Sequence, residues 1–206
     1  MEKKPMTKDR LAAFMDAVLA IIMTILVLEL PKPDPMTLDG VLQLKDTYIC
    51  YALSFFWLGT MWVNLHNEWH QIQVITKKVV WLGIVLLFVT SWIPYSMSVV
   101  AEHPGNKLAM LLYGMSVLLV TFANLWLSFA LYQCHVDIAE CNSHRHAWLM
   151  RIKYIPDIAI KLIGMVMTAT VFPSAMIFAV LAAMVWILIP IEKIYHYKEK
   201  PDNNPG

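Results

Sequence analysis

Apolar blocks of about 20 residues, the length of a transmembrane helix, alternate with short polar stretches along the whole chain. The first runs from about Leu11 to Leu30 and stops at Pro31, Pro33 and Pro35. Alternate prolines favour an extended linker over a continued helix. Further blocks cover about Thr47–His66, Val79–Val100 with Pro94 inside, and Leu108–Tyr132. A fifth, Tyr154–Phe172, begins near Pro156, and a sixth starts at Pro173 and ends near Ile191. The polar remainder, 192–206, reads as a tail. The pattern predicts an all-α, polytopic membrane protein of six spans forming one transmembrane domain over residues 1–206.

Composition sharpens this picture. Of 206 residues, 59% are hydrophobic and 15% charged, against about 45–50% and about 25% in soluble domains. The N-terminal block is too long for a cleavable signal, and Glu29-Leu30-Pro31 follows it in place of a small-residue cleavage site. A net charge of +1 without a basic block gives no footprint for nucleic acid.

The Lys and Arg are distributed asymmetrically. Twelve of the sixteen lie in the N-terminus, the 77–78 loop, the 145–153 segment and the tail; Lys32, Lys45 and Lys107 lie in the opposite loops, and Lys161 within a span. Positive residues collect on the cytoplasmic side, so both termini are expected there. An even number of spans requires the same. Tryptophans near span ends read as interfacial anchors, whereas Trp62 and Trp126 fall deeper and are expected between helices. Asp157 and Lys161, four residues apart, can pair on one helix face, and Lys161 can also extend its amine toward the headgroups.

The first block carries the most unusual residues. Ionisable groups inside a membrane are costly and turn toward protein or water. Asp16 lies about 9 Å along the helix axis from Arg10, deep enough to need a partner. Arg10 and His66 are the candidates. Ala17, Ile21, Thr24, Ile25 and Leu28 form one helical stripe. The pattern alone does not decide whether this is packing surface or a pore wall whose apolar constrictions gate by dewetting.

Arg10-x-x-x-Phe14-Met15-Asp16-Ala17-Val18-Leu19-Ala20-Ile21-x-x-Thr24 resembles the first-helix signature of the potassium channels related to transmembrane protein 175. The likeness continues in Trp62-Val63-Asn64-Leu65-His66, in Trp81-Leu82-Gly83, and through Ser91-Trp92-Ile93-Pro94-Tyr95. It is detailed over the first half of the chain and rests on hydropathy over the second. The resemblance implies a homotetramer of six-span subunits, embedded in lipid and conducting potassium ions, with the first helices lining the pore and no cofactor beyond the permeant ion. It places the narrow pore residue on Ile21, further pore positions on Ile25 and Leu28, and an ion-contacting hydroxyl on Thr24. Arg10, Phe14 and Asp16 fall on the motif that braces the pore helix, and His66 is placed beside it as the partner of Asp16. No Thr-Val-Gly-Tyr-Gly filter occurs in the sequence. Two positions depart from the family pattern: Met15 stands for a serine, and Gly83 for an asparagine.

Other chemistry is thin. His66 and His70 could share a metal, but no third ligand is evident. The Cys134-His135-Asp137-Glu140-Cys141-His144-His146 run matches no zinc spacing, and Cys50, Cys134 and Cys141 fit no metal motif. No site is therefore assigned to a metal. No Ser/His/Asp set, nucleotide loop or HExxH motif is present, so an enzyme is not expected. The rival reading is a secondary transporter of a small cation or solute, in which Pro94 would mark a broken helix.

Overall fold

The computed structural model describes residues 7–70, 72, 74–103, 105–136 and 143–188, with the side chains of 135–136, 143–151 and 153 left aside. The described residues are helical, with no strand among them. Helix α1 (Lys8–Ile25) tightens into a 3₁₀ turn, Leu26–Glu29, and ends ahead of Pro31. A short helix, α2 (Leu38–Gln43), follows the proline linker, its start capped by the Thr37 hydroxyl, which accepts from the Gly40 N–H at 3.2 Å. At six residues, it is too short to leave an apolar block of its own in the sequence.

Helix α3 (Lys45–His70) and α6 (Lys107–Val136) run beyond the expected spans. The third block is two helices, α4 (Lys77–Thr90) and α5 (Trp92–Glu102), broken at Ser91. Pro94 causes the break: it cannot donate to the Thr90 carbonyl, and its ring presses on that carbonyl. Lys8–Glu29, Lys45–His70, Lys77–Glu102 and Lys107–Cys134 are long and apolar enough to cross a membrane. The protein is thus a multi-pass membrane protein.

Helix α7 spans Ser143–Thr170 and α8 spans Ala175–Leu188. The fifth block was expected to open near Pro156; instead the helix starts thirteen residues earlier and carries Pro156 inside it. Proline leaves the carbonyl four residues before it without a backbone donor. That carbonyl, on Ile152, accepts from the Trp186 indole of α8 at 3.3 Å, which supplies what the proline removed. Pro173 lies in the connecting turn, and α8 begins two residues after it. As described, α8 has 14 residues, about 21 Å at 1.5 Å per residue, below the roughly 30 Å hydrocarbon thickness. The tail 192–206 lies outside the described residues.

Helices α1 and α3–α6 share one apolar core with α8, in which Leu19, Trp57, Leu86, Met97, Tyr113 and Met176 are buried. Helices α7 and α8 pack tightly at Gly164, where an added Cβ would run into the Cβ of Ala179, the small-residue contact that lets membrane helices approach.

Candidate functional site: the outward face of the first helix

Helix α1 has two faces. Leu11, Met15, Leu19, Ile22 and Leu26 are buried in the bundle. Its other face is uncovered in the protomer: Phe14 is 53% exposed, Ile21 57% and Leu28 78%. Ala17 and Thr24 are also exposed, and Ile25 is half-buried. The expected stripe therefore points away from its own subunit. Only 28% of the apolar window of α1 is buried, against 61% in Lys107–Cys134. Thr24 Oγ1 donates to the Ile21 carbonyl at 2.8 Å, so its oxygen can still accept on the outward side.

The bracing residues divide. Arg10 and Phe14 are exposed and lie at spacings that continue the outward stripe. Asp16 turns toward α3, but neither Arg10 nor His66 meets it there. Its Oδ1 accepts from the Trp62 indole at 2.8 Å. His66 lies one step further on, its ring 5.5 Å from that of Trp62 and its Nε2 3.0 Å from Nε2 of His70. The expected pairing with Arg10 or His66 is thus corrected: the long indole reaches the carboxylate first. Among the described residues, no three His, Cys, Asp or Glu side chains cluster to hold a metal. The 134–146 run lies almost wholly outside the described side chains.

The two departures from the family pattern meet in space. A Cβ at Gly83 would lie 3.0 Å from Met15 Sδ. The long apolar side chain at 15 fills room that the missing one at 83 leaves open. Met15→Ser alone empties buried volume, and Gly83→Asn alone collides with Met15. Each single variant is expected to lose about 1–3 kcal/mol. The double variant should recover most of that in thermal melts, and additive losses would refute the coupling.

Tryptophan placement needs one correction. Trp126 is 58% exposed and does not pack inside its own subunit; Trp62, 38% exposed, does bridge helices through Asp16 of α1, and Trp57, at 2%, is held inside the bundle. Lys161 is corrected too: 1% exposed, it points into the bundle and not to the headgroups.

Residues 10–94 match the sequence model of the family described as "Endosomal/lysosomal potassium channel TMEM175". The chain is thus similar to TMEM175 channels over residues 10–94. It is 28% identical over 190 residues to a potassium channel of Chryseobacterium sp. (strain P1-3), covering 92% of this chain and 96% of that relative. It is 30% identical over 129 residues to a potassium channel of Chamaesiphon minutus, covering 57% and 63%. A chicken relative named "Endosomal/lysosomal proton channel TMEM175" matches 55% of this chain at 26% identity, over 24% of its own length. The fold resembles the crystal structure of a lysosomal potassium-selective channel TMEM175 homolog from Chamaesiphon minutus, with a TM-score of 0.73 at 21% identity, covering 88% of this chain and 96% of the other. TMEM175 proteins are ion channels and not enzymes.

Proposed function

We propose that this chain is a potassium-permeable cation channel of the TMEM175 family, a homotetramer of six-span subunits whose α1 helices surround the pore. The uncovered stripe of α1 carries this reading. Four copies of Ile21, Ile25 and Leu28 would stack as apolar rings, with Thr24 supplying hydroxyls between them. Such rings bar ions by dewetting and need no charge. Selectivity then comes from a hydrophobic constriction with nearby polar groups, without a carbonyl filter. Helices α7 and α8 are the fifth and sixth spans.

The test is potassium flux from liposomes containing the purified protein under a potassium gradient. Passive flux that saturates poorly supports the channel. Strict stoichiometric coupling to a second ion would replace it with the transporter reading.

Both termini are assigned to the cytoplasm of the cell membrane from the Lys/Arg asymmetry. With the native cysteines replaced, a membrane-impermeant thiol reagent should label Asp34→Cys on intact cells and leave Asn203→Cys unlabelled. The reverse pattern would invert the topology.

A further inference from the structure

A second polar site lies away from α1, where α3, α6 and α7 meet. Asp157 and Lys161, four residues apart on α7, are each 1% exposed, and the ammonium is 2.8 Å from the carboxylate. Lys161 Nζ also donates to Thr121 Oγ1 of α6 at 2.8 Å. Its third side is covered by the Trp57 ring of α3, 5.1 Å to the centroid, within reach of a cation–π interaction. One ammonium thus ties three helices. Beside it is a cavity of about 20 Å³, enough for one water. Asn124, which lines the cavity, has a buried Oδ1 with no hydrogen-bond partner among the described residues.

Stability alone does not explain such a cage. A buried ion pair is often no more stabilising than apolar residues of equal volume, and an ionisable pair inside a membrane is expensive. Its placement supplies another reason. Trp57 and Trp62 are five residues apart on α3, about 140° around the helix. One indole is held by Lys161 and the other by Asp16 of α1. Helix α3 is therefore gripped on opposite sides, by the rear of the bundle and by the helix with the outward stripe.

We propose that Lys161 is a positioning residue for the pore: its cage with Asp157, Thr121 and Trp57 fixes α3, and α3 sets α1 through Trp62. This rests on the reading of α1 as the pore helix. Removing the cage shifts α1 and so alters permeation, even where the subunit remains stable.

The decisive variant is Asp157→Leu with Lys161→Met in the full-length protein. Lys161→Met alone leaves a buried carboxylate without its cation and should lower the melting temperature. The double variant should restore melting and assembly to near wild type. Its potassium flux should still differ about tenfold from wild type, the scale of remote coupling through packed helices. Amide hydrogen exchange in Leu11–Ile25 should rise by a similar factor. Wild-type flux and exchange in a stable double variant would overturn the proposal and leave a purely structural ion pair. If the double variant does not assemble, Thr121→Val, which keeps the shape and removes one cage ligand, decides by the same two readings. Exchange in α1 is read independently of conduction. Wild-type protein without flux would therefore sink the channel reading, while unchanged α1 exchange in the variants would sink this one.

Discussion

Ile21→Asn is expected to raise ion leak and weaken the preference for potassium over sodium, whereas Ile22→Asn is expected chiefly to destabilise the subunit. The two positions are about 100° apart on one helix, and both receive the same chemistry. Ile21 is 57% exposed from its own protomer and Ile22 4%. At Ile21 an amide would replace part of an apolar ring, and water could then remain in a constriction that otherwise dries. A dewetted gate depends on side-chain size and polarity, so in the proposed tetramer one polar substitution, present in all four subunits, should remove most of the barrier. At Ile22 the amide enters the packed core without assured partners, costing on the order of 1–3 kcal/mol. Leak in liposomes and melting of the detergent-purified protein read the two effects separately. Equal flux changes at 21 and 22, or none at Ile21, Ile25 and Leu28, would show that α1 does not line the pore.

The apolar blocks were legible because bilayer thickness sets their length, but that thickness is not the length of a helix. Helix α3 continues through the polar His66–His70 stretch and α6 through Tyr132–Val136, since polar residues at a membrane surface still form helix. Proline chemistry could be read where the answer was local. Pro94 breaks α4 from α5 just ahead of itself. Pro156 does not end a helix, because the carbonyl it frees is met by Trp186, thirty residues away. The same limit hid the cage around Lys161. Its pairing with Asp157 follows from the i, i+4 spacing, but Thr121 and Trp57 come from distant segments. On α1 the 3.6-residue period separated the two faces correctly. It could not say whether the uncovered face borders a pore, which depends on how copies of the chain assemble.

Asp16→Ala is expected to lower the stability of the assembled protein by about 1.5–3 kcal/mol, the range for a hydrogen bond to a charged group. A fully buried ion pair would imply about 3–5 kcal/mol on losing one member. Asp16 does not meet that condition: its carboxylate is half-buried, and its partner is a neutral indole. The geometry also names the residue that should share the effect. Trp62→Phe keeps an aromatic ring on α3 and deletes the Nε1–H that Asp16 accepts. If the bond holds α1 to α3, then Asp16→Ala and Trp62→Phe should each destabilise, and the double variant should lose clearly less than the sum. Neighbouring residues that share one bond show such coupling, roughly 0.5–3 kcal/mol. Arg10→Gln should show no coupling to Asp16→Ala. His66→Ala should show a weaker one, since its ring reaches Asp16 only through Trp62. The measurement is a double-mutant cycle on the melting of the purified oligomer, with flux recorded in parallel. Additive losses at Asp16 and Trp62 would show that the 2.8 Å contact does not hold the helix. Strong coupling to Arg10 instead would move the brace to a contact made between subunits. The flux record separates a weakened brace from a wetted gate, because loss of the brace lets α1 shift as a whole while the proposed apolar rings keep their chemistry.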